Sequence, residues 1–349
     1  MGIKYLNHYL KKHCTKKSFQ QIHLSEFSGK RITVDISIYL YKFLGESAKV
    51  IMNHTNKTDE TNHAIVNCDM NIYMENLYLF LALFYHYKIT PIIVFDGKPP
   101  PEKRELLKKR YVEKKNAESR YDQLQLENEN EESSNEMHNL CKKLVRIKTE
   151  HLEKAKELVV AFGFPYIQAE GEADLICVNY VQQGIAWACM SDDMDMVLLG
   201  CPRVLRNMNL FSHCATMYHS ESVLDELGMT REKLVETLVV NGLTDYYHIT
   251  EESGMNDASR LYDVLDAVRV GQDARIIEDV TMEIQTQTLT NVCVRDDEIR
   301  NICDLFMNKN HIEFKDYACN VLEPVMNLCE IQNIMTNYGF IFSDSICSI

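Results

Sequence analysis

Three short apolar runs in this chain each end in acid, and no other feature constrains the fold as tightly. Arg31-Ile32-Thr33-Val34 leads into Asp35. Pro91-Ile92-Ile93-Val94-Phe95 leads into Asp96-Gly97, and Ala186-Trp187-Ala188-Cys189-Met190 leads into Ser191-Asp192-Asp193-Met194-Asp195. Helical patterns lie between them, notably over 72–88 and 151–163. Strands that alternate with helices predict an α/β fold, a mostly parallel twisted sheet flanked by helices. In such sheets the functional crevice lies beyond the carboxyl ends of the strands, so acids placed directly after each strand are expected to converge. Asp also favours turns after strands for purely local reasons. That explains one occurrence better than it explains three.

Glu172 and Asp174 follow Tyr166-Ile167-Gln168-Ala169 and open an apolar helical pattern at Leu175-Ile176-Cys177-Val178. Acid in the first turn of a helix offsets the macrodipole, an ordinary structural use. Two residues apart on a regular helix, however, point about 200° away from each other. Such a pair shares an ion only where an element begins or ends irregularly. The same reasoning covers Asp193 and Asp195. Crowded carboxylates repel, and divalent cations relieve the repulsion. Oxygen donors without His or Cys favour Mg²⁺, with Mn²⁺ as substitute, over zinc. Two such ions roughly 4 Å apart can activate a water and stabilise a leaving 3′-oxygen.

The net charge of −14 argues against a nucleic-acid partner, because phosphate binding calls for a basic surface. Residues 102–150 answer that objection. Lys103, Arg110 and Lys114 are spaced seven and four apart, which predicts one helical face, and Arg104, Lys108 and Lys115 make a neighbouring stripe. An acidic, polar stretch over 126–134 precedes a second basic stretch at Lys142, Lys143, Arg146 and Lys148. The segment reads as two helices joined by a solvated tip. It is either a charge-laced exposed hairpin or a positive arm beside an acidic cleft. The 12 cysteines include no Cys-x-x-Cys pair, so they are expected to be buried reduced thiols of an intracellular protein without structural zinc. No run approaches the roughly 20 apolar residues of a membrane span, and the start lacks the layout of a secretory signal. Beyond about residue 221 the chain reads as helices with polar connections.

The motifs together resemble the flap endonuclease family, the XPG-like structure-specific 5′ nucleases, from Met1 to about Asp245. The resemblance rests on Met1-Gly2-Ile3, Ile32-Thr33-Val34-Asp35, Tyr41-Lys42-Phe43-Leu44 and Val94-Phe95-Asp96-Gly97-Lys98-Pro99-Pro100. It continues through Glu170-Gly171-Glu172-Ala173-Asp174, Ser191-Asp192-Asp193-Met194-Asp195 and Leu243-Thr244-Asp245-Tyr246. It implies a two-Mg²⁺ centre, with Asp35, Asp96, Glu172 and Asp174 serving one ion and Asp193, Asp195 and Asp245 the other. Asp174 stands where many relatives carry Glu. The resemblance gives Lys103 and Arg110 the task of drawing the scissile phosphate onto the metals, and Tyr41 that of stacking on a neighbouring base. Gly2 would lie near the active site, and Lys142 and Lys143 would join the nucleic-acid surface. Taken alone, Tyr41 fits a core position as well as a stacking one. The expected organisation is a nuclease core over 1–101 and 151–244, a helical arch over 102–150, and a helical region over 245–349.

This sequence also departs from the family. The glycine-rich helix-two-turn-helix that relatives use on duplex backbone reads here Glu252-Ser253-Gly254-Met255-Asn256-Asp257-Ala258. Gly254 survives, while the first glycine and both basic residues are gone. Close phosphate approach needs glycine, so duplex binding at this element and its monovalent cation lose their support. A glutamine-led aromatic clamp-binding motif is missing near the C-terminus, and sliding-clamp recruitment is not supported. The expected partner is branched or flapped DNA, met by a monomer with no membrane association, in the nucleus by family resemblance or else in the cytoplasm. Two rival readings stand beside flap endonuclease and 5′–3′ exonuclease action on DNA: a ribonuclease on the same scaffold, and a junction-binding protein with a relic site.

Overall fold

The structure is a computed structural model that describes residues 3, 5–54, 70–126, 136–137, 139–140, 143–244, 257–271, 292–307 and 324–342. Among these lie strands β1 (Phe19–His23), β2 (Arg31–Asp35), β3 (Thr90–Phe95), β4 (Tyr166–Gln168), β5 (Ala188–Met190), β6 (Arg203–Asn209) and β7 (Cys214–His219). The helices are α1 (Leu6–His13), α2 (Ile36–His54), α3 (Met70–His86), α4 (Arg104–Leu126), α5 (Thr149–Ala161) and α6 (Ala173–Gln182). They continue with α7 (Asp195–Leu198), α8 (Ser220–Leu227), α9 (Arg231–Val240), α10 (Asp257–Arg269), α11 (Val292–Phe306) and α12 (Leu328–Thr336). The chain divides into two compact units. The first comprises Met1–Glu26, Pro99–Lys103 and Glu172–Ala318; the second comprises Phe27–Lys98, Arg104–Gly171 and Cys319–Ile349.

In the second unit β2, β3 and β4 run parallel, with Asp35 opposite Val94 and Phe95 opposite Gln168. Ile32, Val34, Ile92, Ile93 and Val94 are buried, as strands covered on both faces require. Helix α3 is apolar almost all round, and its Phe80 stacks on Tyr39 of α2 at 4.6 Å between ring centres and meets Phe84 edge-on at 5.0 Å. The segment 324–342 packs in this unit too. The Asn327 amide donates to the Ala161 carbonyl, and Tyr78 packs on both Phe162 and Phe340.

In the first unit the strand order is β1-β7-β6-β5. β5 and β6 are parallel, while β6–β7 and β1–β7 are antiparallel. The fold is thus the expected α/β arrangement with mostly parallel strands flanked by helices. β1, β6 and β7 add antiparallel pairings that the apolar runs do not announce. Helix α10 lies against α1, where the Tyr9 hydroxyl donates to Asp266 at 2.7 Å. Among the described residues no helix is long and apolar enough to cross a membrane. Cys14, Cys177, Cys189 and Cys201 are buried free thiols, but Cys329 is exposed, which corrects the expectation that all are buried. Cys329 sits near the start of the amphipathic α12, on the side away from Ile331 and Met335.

Candidate active site

Each unit carries its own set of the predicted residues. In the second unit, Asp35 closes β2 and is buried, and one of its carboxylate oxygens accepts the Ser37 amide. Asp96 follows β3 directly. With Asp35 paired to Val94, Asp96 lies two residues past that register on the neighbouring strand, so both acids stand at the same carboxyl end of a parallel pair. Tyr41 in α2 is 46% exposed, which rules out the core position. Burial of part of the ring raises its phenol pKa; the charge of Asp96 adds to this and Arg110 opposes it. The charges of Asp96 and Arg110 thus both act on the Tyr41 phenol.

The loop after β3 leaves no room for a side chain at Gly97. A Cβ there would stand 2.2 Å from the Ala169 carbonyl oxygen and 2.4 Å from that of Glu170. The Gly97 amide donates to Gly171 at 2.6 Å and the Lys98 amide to Glu170 at 2.9 Å. Glycine is demanded here by close backbone approach, and the ladder it permits ties the turn bearing Asp96 to the segment ending at Gly171.

In the first unit, Glu172 caps α6 with extended backbone (φ −79°, ψ 142°), and Asp174 lies in its first turn. Asp195 opens the four-residue α7 just beyond β5. Both pairs of acids thus fall at irregular element starts, as sharing an ion requires. The Asp195 amide donates to the Asp193 carboxylate at 2.9 Å, and the Asp193 amide to the Ser191 hydroxyl at 3.2 Å. This stepped turn fixes the Asp193 carboxylate, and both carboxylates are buried. Behind it the buried Arg206 donates to the Asp192 carbonyl at 2.6 Å and lies over the Tyr218 ring. A bulge between Arg206 and Asn209 turns the Asn207 amide onto the Asp192 carboxylate, also at 2.6 Å. The apolar-then-acid pattern gave no sign of Ser191 or Arg206. Arg206 directly precedes Asn207, whose φ is positive, and neither that backbone nor the burial of Arg206 is visible in the sequence.

Lys103 also belongs to this unit. Its ammonium lies 2.5 Å from a Glu172 carboxylate oxygen. Burial lowers its pKa, but Glu172, Asp174 and Asp195 outweigh burial and hold it above the ordinary lysine value. This corrects the expectation that Lys103 shares a helical face with Arg110 and Lys114. Pro99, Pro100 and Pro101 keep the chain out of α-helix, Lys103 ends a single 3₁₀ turn at Pro101–Lys103, and α4 begins after it. Lys114 turns inward, donating to the Val145 carbonyl at 2.6 Å. Among the described residues no three acid, His or Cys side chains stand preassembled as a metal cage. The donor set nevertheless suits a hard cation. Its members offer oxygen alone, and they already draw one ammonium among them.

Past α4 the described residues 136–137, 139–140 and 143–144 are helical, and 145–148 lie outside regular secondary structure. Ala117, Tyr121 and Leu124 of α4 close a buried seam with Leu140 and Leu144. Arg120 grips Glu136 with two hydrogen bonds of 2.9 Å. The basic hairpin is therefore a packed body, and Lys143 is exposed on it. Gly2, Lys142, Asp245 and Gly254 lie outside the described residues.

Known proteins match this arrangement. Residues 1–117 match the XPG N-terminal domain and residues 163–243 the XPG I-region. These two stretches take in more than half of the chain. Flap endonuclease 1 of Sulfolobus acidocaldarius is 30% identical over 241 residues, 65% of this chain and 65% of that protein. Flap endonuclease 1 of Methanosphaera stadtmanae is 26% identical over 305 residues, 86% of this chain and 88% of that protein. Among solved structures, the catalytic core of Rad2 in complex with DNA substrate superposes with a TM-score of 0.62 at 19% identity, covering 97% of this chain and 96% of that one. Flap endonuclease-1 from Methanococcus jannaschii gives 0.54 at 18% identity, over 96% and 99%. The first relative is matched over 65% of its length, just under two thirds. An α/β core with acids at the ends of its parallel strands, matched by both XPG segments, defines the class. The chain belongs to the XPG family of flap-endonuclease-like nucleases.

Proposed function

We propose that this protein is a Mg²⁺-dependent, structure-specific 5′ nuclease that hydrolyses DNA near single-strand/double-strand junctions. It acts as flap endonuclease and 5′–3′ exonuclease in replication, repair or recombination, and leaves 5′-phosphate and 3′-hydroxyl ends. One observation carries the reading: acids stand at strand ends and helix starts in both units, and a lysine ammonium is drawn into one set. Asp35, Asp96, Glu172 and Asp174 are the ligands of one ion, directly or through water. Asp193, Asp195 and, by family resemblance, Asp245 are those of the second. Two bound ions supply the activation of water and the neutralisation of charge on the leaving 3′-oxygen.

The rest of the chemistry belongs to this chain's own groups. The stepped turn from Ser191 to Asp195, braced by Arg206, holds the Asp193 carboxylate fixed before substrate arrives, so little reorganisation of that group is left for the reaction. Lys103 and Arg110 attract the scissile phosphate and offset its growing charge. Tyr41, exposed beside Asp96, stacks on a base next to the cleavage point. The 102–150 segment acts as an arch over the 5′ strand, the protein works as a monomer, and the nucleus is its expected location. The test is cleavage of a 5′-flap DNA and the matched RNA flap by purified protein in Mg²⁺ or Mn²⁺. Wild type should cut the DNA flap at the junction, and Asp193→Asn should be slower by about a thousand-fold or more. A folded wild type inert with both metals on both substrates would end the proposal.

A further inference from the structure

The exposed face of α4 carries an aromatic with no task in the reading above. Arg104, Lys108, Tyr111 and Lys115 are spaced four, three and four residues apart. At 3.6 residues per turn they fall within about 60° around the helix, in one stripe about 16 Å long. All four are exposed, Tyr111 by 66%. Leu107, one turn before Tyr111, borders the stripe and is exposed as well. The buried side of α4, formed by Ala117, Tyr121 and Leu124, lies on the opposite side of the helix. Tyr111 therefore gives the hairpin seam nothing, and tyrosine forms helix less readily than alanine or lysine at an exposed position.

A ring set between cations on one line is the layout that binds single strands: charge follows the phosphates and the ring face takes a base. A duplex would use only the cations, because its bases are already stacked inside it. We propose that Tyr111 is a stacking platform for the single-stranded 5′ arm of the DNA, with Arg104, Lys108 and Lys115 on the flanking phosphates. The proposal rests on the 5′-nuclease reading and adds to it a residue that grips the arm away from the metals.

The full-length chain, without divalent ions, is titrated onto a 5′-flap DNA carrying 2-aminopurine in the flap, and onto a nicked duplex of the same sequence with no flap. Tyr111→Ala should bind the flap about ten-fold more weakly than wild type and the nicked duplex equally well. Tyr111→Trp should retain flap affinity. Wild type and Tyr111→Trp should quench the 2-aminopurine, and Tyr111→Ala should not. Arg104→Ala and Lys108→Ala should each lower the salt dependence of flap binding by about one unit of slope. Circular dichroism should be unchanged in Tyr111→Ala. The proposal is overturned if Tyr111→Ala matches wild type on the flap, if it loses equally on both DNAs, or if wild type does not bind the flap. An active nuclease indifferent to Tyr111 sinks this inference alone. An inert protein with Tyr111-dependent flap binding sinks the nuclease reading alone.

Discussion

At Gly97 space, rather than charge, sets the limit. The neighbouring carbonyl oxygens stand where a Cβ would go, so Gly97→Ala must push the 169–171 segment off the turn that carries Asp96. Such overpacking costs about 1–3 kcal/mol. We expect a lower melting temperature together with a fall in cleavage rate larger than the stability loss explains; a variant with wild-type rate would mean the ladder is not needed to aim Asp96. The two basic residues make a different prediction. Lys103→Ala and Arg110→Ala should slow single-turnover cleavage by about a hundred-fold while changing flap affinity little, because their work is expected mainly in the transition state. Equal losses in rate and affinity would reduce them to plain electrostatic attraction. That Lys103 serves the acids, and not the α4 face, was hidden in the sequence. Seven-residue spacing suggests a common helical face, but the run of prolines before it stops the helix from reaching Lys103.

Among the elements, those with apolar runs of one kind were legible. β2, β3 and β5 are buried parallel strands, and the acids that end them mark their carboxyl ends. α3 and α5 follow from their periodicity. β1, β6 and β7 were not legible: β1 reads Phe19-Gln20-Gln21-Ile22-His23, largely polar, and its partner β7 lies nearly two hundred residues along the chain. Pairing at that distance leaves no local pattern. Two elements make testable contributions to stability. At the start of α5 the buried His151 accepts the Lys148 amide through Nδ1 at 3.0 Å, which requires the neutral ring. Burial, with Lys148, lowers its pKa below the ordinary 6.5. Above that pH the ring is neutral in folded and unfolded chains alike. As pH falls below it, the unfolded chain takes the proton first and stability drops. Denaturant midpoints should therefore fall from pH 7 to pH 5, and His151→Gln should flatten that slope; an unchanged slope would assign the effect elsewhere. In the β5–α7 loop, Arg206→Ala should cost about 1.5–3 kcal/mol in thermal unfolding, since it strips a half-buried carbonyl of a charged donor. A loss within error of zero would remove the brace from the loop's description.

For the whole molecule, a net charge of −14 and a phosphate substrate look incompatible until the charges are placed. Acids are gathered at element ends, and exposed cations line α4 and its return. Flap binding should weaken with salt as cations on a phosphate backbone require, with a slope in log–log form steeper than about −2; a flat dependence would deny the basic hairpin its role. The central proposal is that the acids at these element ends hold two divalent ions against the strand. The most direct measurement is Mn²⁺ uptake by spin resonance with a non-cleavable flap DNA bound. Two ions per chain are predicted for wild type, and one each for Asp35→Asn and Asp195→Asn. No uptake in wild type, or two ions retained in both variants, would contradict it.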